Sequence, residues 1–197
     1  AWAIKAVTMA QKWRERPTGE KSAAKPLPKP LNAALLETLA LNYVGRFATS
    51  RGKLIAYLSR KLRERGWDGP DAPPIEQVAD RLVELRYVDD AAYAEMKSGA
   101  MQRQGMGPRR IAQKLTMDGI DETERTAAAP DAAERWAAAE RLARRRRIGP
   151  YGAGEPDRAL REKQIATFLR AGHRMTEARL WVDALPGEMP DAPFAED

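Results

Sequence analysis

The sequence predicts an all-α protein made of three tandem three-helix repeats in an elongated, curved array. Three observations carry this expectation. Ala, Leu, Arg, Glu and Lys dominate the 197 residues while β-branched residues are sparse, a bias toward helix. Apolar residues recur at spacings of three and four, the period of one buried helix face. Glycines placed where helices should stop, Gly66, Gly119 and Gly172, stand at equal intervals of 53 residues. Four residues before each stands Leu62, Leu115 or Phe168, and just after comes Trp67, Ile120 or His173. Such a recurring helix–Gly–helix context marks stacked units whose small cores are completed by their neighbours.

Residues 14–30 hold Pro17, Pro26, Pro28 and Pro30 among charged residues, so residues 1–30 read as a flexible or polyproline-like basic arm. The first unit spans 31–90. Leu36, Leu39, Tyr43 and Phe47 mark one face of its first helix. Leu54, Leu58 and Leu62 mark the second, over residues 50–65, which Gly66 closes. Pro74 suits the first turn of the third, striped by Ile75, Val78, Ala79, Leu82 and Leu85. The second unit, 91–130, holds a helix marked by Tyr93, Met96 and Ala100. A second helix opens at Pro108 with Ile111 and Leu115 inward, and a short third covers about 122–129, before Pro130. The third unit, 131–185, begins with a helix over 131–147 lined by Trp136, Ala139 and Ala143. After the loop 149–155, Leu160, Ile165 and Phe168 mark a helix over 157–171, and Ala178, Val182 and Leu185 mark the last. Residues 186–197 read as a loose acidic tail. Trp67, Trp136 and Trp181 are expected in the unit cores.

The chemistry available is narrow. There is no cysteine and one histidine, His173, so thiolate chemistry is excluded and metal or acid–base sites lose their commonest ligand. No cofactor, no metal and no enzymatic activity are expected. His173 replaces an apolar residue of the earlier units and reads as a partly buried structural side chain. Asp89 and Asp90 precede a helix, with Asp90 the expected N-cap. The glycine-rich run 149–154 follows a helix rather than a strand and lacks the Gly-Lys-Ser/Thr ending of a phosphate loop. No segment approaches the length of a membrane span, and the first residues do not read as a secretory signal. A cytoplasmic monomer is the expectation.

Charge points to a polyanion. The net charge is +6, of which residues 1–30 carry +5 through seven Lys/Arg against Glu15 and Glu20. Within the folded region the bases cluster. Arg51, Lys53, Arg60, Lys61 and Arg63 surround the leucines of the second helix. Arg109 and Arg110 sit in a helix's first turn, where the helix dipole disfavours positive charge, and Lys114 follows on the same helix. Arg144, Arg145, Arg146 and Arg147 close the seventh helix. These twelve are the candidate contacts to an acidic partner or to DNA. Solvated helix faces are the bland alternative.

Several stretches resemble the RecX family. They are Tyr57-Leu58-Ser59-Arg60-Lys61-Leu62-Arg63-Glu64-Arg65-Gly66-Trp67, Val83-Glu84-Leu85-Arg86-Tyr87-Val88-Asp89-Asp90-Ala91-Ala92-Tyr93-Ala94, and Gly105-Met106-Gly107-Pro108-Arg109-Arg110-Ile111 with Lys114-Leu115 and Gly119-Ile120. Phe168-Leu169-Arg170-Ala171-Gly172-His173 resembles the family's third-unit ending. Arg86 stands where many members have glycine, so the turn before Tyr87 is expected to differ. The resemblance implies a regulator that binds the RecA–DNA filament and suppresses its ATPase, strand exchange and coprotease activities, with direct DNA contact in some members. The alternative is a sequence-tolerant DNA-binding helical module acting independently of RecA. A plain helical scaffold, with no nucleic-acid surface, is a third reading.

Overall fold

The computed structural model describes residues 29–193; the expected arm, but for its last two residues, and the last four residues of the acidic tail lie outside that range. Within it the chain is helical, the only pairing of extended residues being an isolated bridge between Leu31 and Trp67. The helices are α1 (Ala33–Val44), α2 (Arg51–Arg65), α3 (Ile75–Glu84), α4 (Asp90–Arg103), α5 (Pro108–Met117), α6 (Glu122–Ala127), α7 (Ala132–Arg146), α8 (Arg158–Ala171) and α9 (Met175–Asp183).

Their starts follow from short polar side chains that accept an otherwise orphaned backbone N–H. The N–H of Leu35 donates to Asn32 at 3.0 Å, that of Ala92 to Asp89 at 2.8 Å, and that of Leu160 to Asp157 at 2.7 Å. Asp131 and Glu134 form a reciprocal capping box at the start of α7. Asp89, and not the expected Asp90, is therefore the cap of α4. The Asp90 carboxylate is instead taken across the fold, where it accepts the Arg51 N–H at 2.7 Å. Arg86, just before Tyr87, adopts the left-handed backbone that favours glycine, with φ of +58°.

Three sets of buried apolar side chains lie along the chain. Leu31, Leu36, Leu54, Leu58, Val78 and Leu82 close the first among α1–α3. Tyr93, Met101, Ile111, Leu115 and Ile120 form the second. Leu142, Ile148, Phe168, Trp181 and Val182 form the third, with Trp136 tilted against Trp181 at 5.0 Å between ring centroids. Some expected core positions face solvent: Phe47, Leu85, Met96, Leu160 and Leu185 are exposed. Phe47, Leu85 and Leu185 lie beyond the ends of α1, α3 and α9, so the helical stripe no longer directs them inward. On α4 the buried face runs through Tyr93, Ala94, Ser98 and Met101 instead of Met96. Trp67 is only partly buried and donates its indole N–H to the Asp71 carbonyl at 2.6 Å.

The glycine interval has a tertiary cause. The second helices of consecutive units meet end to start. At one junction the start of α2 abuts the end of α5: the Ser50 hydroxyl donates to the Asp118 carbonyl, and a Cβ on Gly52 would lie 2.7 Å from the Gly119 Cα. At the next, the start of α5 abuts the end of α8. Gly107 N–H donates to Ala171 O at 2.8 Å and Arg109 N–H to Gly172 O at 3.2 Å. The unpaired carbonyls of one helix end thus find donors at the next helix's start, and the helix dipoles align favourably. Only glycine permits this approach. Gly66, the third of the series, lies in open space, with nothing within 4 Å of where a Cβ would stand, and its carbonyl accepts the Leu31 N–H at 3.0 Å.

The first junction also holds a polar network. Tyr93 OH donates to Asp118 Oδ2 at 2.9 Å and accepts from Lys53 Nζ at 3.0 Å, while Lys114 pairs with Asp118 at 2.5 Å. Burial, with the neighbouring Asp118, pushes the Tyr93 phenol up to about 12, against about 10 for an unperturbed tyrosine. Between those values the unfolded chain loses this proton before the folded one does. Stability from this site is therefore full below pH of about 10 and falls as pH rises toward 12. Thermal melts across that window should show a steeper loss for the wild type than for Tyr93→Phe; parallel curves would refute the assignment.

Candidate functional site

The second junction carries an open groove of about 700 Å³ between the start of α5, the end of α7 and one face of α8. Arg110, Arg145, Arg146, Lys163 and Arg170 line it, with no acidic residue among the lining side chains. Met106, Leu142, Ile148 and Leu160 form its apolar part.

Each cation reaches the groove for a local reason. Arg110 lies in the first turn of α5, held there by Gly107 and Arg109 bonding to the end of α8. Arg145 is braced by donating to the Gln104 carbonyl, at the end of α4, at 2.7 Å. Lys163, Thr167 and Arg170 share a face of α8 at spacings of four and three. The bonds these cations make are to neutral acceptors: Arg110 to Gln113 at 2.9 Å and Arg170 to Thr167 at 3.2 Å. Among the described residues, the side chains of Arg146 and Lys163 have no hydrogen-bonded or ion-paired partner. Five cations gathered with no carboxylate repel one another, an arrangement that an anionic ligand relieves.

The other expected contact residues are placed differently. Arg51 is bound to Asp80 at 2.6 Å and approaches Glu76 at 3.9 Å. That hydrogen bond to Asp80 raises the Arg51 pKa against the opposing effect of burial. Lys53 and Lys114 belong to the junction network. Arg60 and Lys61 both pair with Glu64, at 3.7 and 2.6 Å, and lie over the Tyr57 ring. Arg144 pairs with Glu140 at 2.8 Å and covers the Tyr151 ring. Arg63, Arg109 and Arg147 are exposed outside the groove. Arg147 ends α7 in the left-handed conformation, with φ of 54°. The structure thus brings Arg110, Arg145 and Arg146 together and adds Lys163 and Arg170, which the apolar pattern of α8 does not single out. Their signal is the i, i+4, i+7 polar stripe with Thr167.

Two other clusters of titratable residues lie outside the groove among the described residues. His173 is fully buried rather than partly so, with Nε2 3.0 Å from the Gly105 carbonyl. Its Nδ1 lies 3.8 Å from Glu177. Burial would raise the Glu177 carboxyl, but His173, the Arg174 N–H and Arg135 outweigh it and hold the pKa below its usual value. The His173–Gly105 contact ties the third unit to the second, while Arg135 pairs with Glu177 at 3.4 Å within the third. The first junction bears an opposite, acidic cleft with Glu84, Asp89, Asp90, Asp121 and Glu124 beside Arg51 and Arg86. Burial raises the Asp90 carboxyl there. Among the described residues no group of three His, Cys, Asp or Glu could hold a metal, and no helix is long and apolar enough to cross a membrane.

Comparison with known proteins gives a consistent picture. Residues 89–128 match the family model described as RecX, second three-helix domain. The regulatory protein RecX of Myxococcus xanthus is 28% identical over 185 residues, covering 88% of this chain and 97% of that protein. The regulatory protein RecX of Agrobacterium fabrum is 32% identical over 159 residues, covering 78% of this chain and 84% of the relative. Two solved structures share the fold. The crystal structure of RecX from Lactobacillus salivarius aligns with a TM-score of 0.57 at 22% identity, over 77% of this chain and 94% of that one. A crystal structure of a regulatory protein RecX aligns with a TM-score of 0.61 at 21% identity, over 77% and 73%.

Proposed function

The chain belongs to the RecX family of regulatory proteins, and we propose that it binds the RecA–DNA filament and mainly inhibits its recombinase, ATPase and coprotease activities. The observation that carries this reading is the groove of five cations without an acid, set at a unit junction of a RecX-family protein. Three units, over residues 31–90, 91–130 and 131–185, offer successive surfaces to a partner that is itself periodic. Linked weak contacts bind far more tightly than separate ones because the second and third become intramolecular. Bound along the filament, a rigid row of units would oppose the subunit movements and additions that strand exchange needs. The protein acts as a cytoplasmic monomer in this reading, and its chemistry is binding rather than catalysis.

The same cations favour a second reading, a sequence-tolerant DNA-binding module independent of RecA. The two separate in a co-sedimentation assay with RecA filaments assembled on single-stranded DNA. The filament reading expects pelleting that survives excess naked strand. Pelleting abolished by naked strand, with a steep salt dependence, would overturn it.

A further inference from the structure

The groove between α5, α7 and α8 has features that a surface for a phosphate backbone alone does not need. Its apolar part is aliphatic: Met106, Leu142, Ile148 and Leu160, the last exposed. No aromatic ring lines it, so it offers no surface for stacking bases. One of its walls is Gln164, whose amide oxygen is buried with no hydrogen-bond partner among the described residues. A buried acceptor left unmade is costly, and a small rotation of that side chain would present it to a donor in the groove. A phosphodiester backbone has no N–H to give; an extended peptide offers one at every residue.

We infer that this groove is a docking site for an acidic peptide segment of a partner protein, one that inserts an aliphatic side chain among Met106, Leu142, Ile148 and Leu160, places carboxylates against Arg110, Arg146, Lys163 and Arg170, and donates a backbone N–H to Gln164. The inference deepens the reading of this groove as the filament-gripping surface, because it assigns the grip to protein rather than to the DNA strand. Carboxylates match the forked guanidinium donors as well as phosphates do, and the apolar anchor supplies selectivity. The unpaired Arg146 and Lys163 are the cations best placed to gain from such a ligand, having no partner to give up.

The test needs no RecA filament, so its failure is separable from failure of the filament reading. A fluorescent twelve-residue peptide of Glu and Asp flanking one central leucine is titrated with the full chain by anisotropy, beside the same peptide with alanine in place of leucine and a twelve-nucleotide oligothymidylate. The leucine peptide is expected to bind about fivefold or more tightly than the alanine peptide, one anchor side chain being removed. Lys163→Glu with Arg170→Glu should weaken it by about tenfold or more, and Gln164→Leu by a few-fold, with circular dichroism unchanged. Equal binding of the two peptides would remove the anchor. Tighter binding of the oligonucleotide, lost in the same charge-reversal variant, would assign the groove to nucleic acid, and absence of binding by all three probes would overturn the site.

Discussion

Gly172→Ala is expected to lower the midpoint of thermal unfolding by roughly 5–15 °C, at ~2–4 °C per kcal/mol for a chain of this size. Two effects add. Gly172 has φ of +95°, where a Cβ costs about 1–2 kcal/mol. A Cβ there would also lie 2.4 Å from the Arg110 backbone nitrogen, and overpacking of that kind costs about 1–3 kcal/mol. Gly187→Ala isolates the first effect, because φ is +85° in a turn closed by the Glu188 N–H on the Leu185 carbonyl, with open space around it. Gly187→Ala should therefore cost only the backbone strain, leaving Gly172→Ala about 1–3 kcal/mol worse. Equal losses at the two positions would mean that the junction between α5 and α8 does not form as described. Because Arg110 stands on the same contact, loosening this junction also splays the groove.

The second large effect is on binding. Lys163→Glu with Arg170→Glu replaces two groove cations on one face of α8 by two anions and is expected to weaken filament binding by about 30–100-fold or more, the range for reversing close charges across an interface. The loss should shrink as salt is raised. Arg63→Glu is the matched control: an exposed base on α2, away from the groove, whose reversal is expected to change binding by less than about threefold if only the groove cations are close to the partner. Comparable loss from Arg63→Glu would spread the contact over the whole basic face of the protein and remove the groove's special role.

Much of the fold was legible because it is local. The spacing of Leu54, Leu58 and Leu62, the proline at the start of α5 and the glycine after α8 are written within single helices, and caps of the Asx type mark where they begin. What was misread follows from the same locality. The stripe of α1 extrapolates to Phe47 only if the helix continues past Val44, and the choice between Asp89 and Asp90 as cap turns on Arg51, distant in sequence but adjacent in space. The interval of 53 residues was visible, but its cause was not: Gly119 and Gly172 need their glycine counterparts Gly52 and Gly107 to be recognised as docking surfaces. The groove is the least legible feature. Its cations come from three helices in two units, and a linear reading weights the run Arg144–Arg147 equally, although Arg144 turns to Glu140 and Tyr151 while Arg146 faces the groove.

Restraint of RecA on DNA is the activity proposed for this RecX-family chain. The most direct measurement is the single-strand-DNA-dependent ATPase of RecA with sub-stoichiometric amounts of the wild-type protein and of Lys163→Glu/Arg170→Glu. The account expects a strong fall with the wild type that persists in excess DNA, and little fall with the variant. An unchanged ATPase in the presence of folded wild-type protein would contradict it.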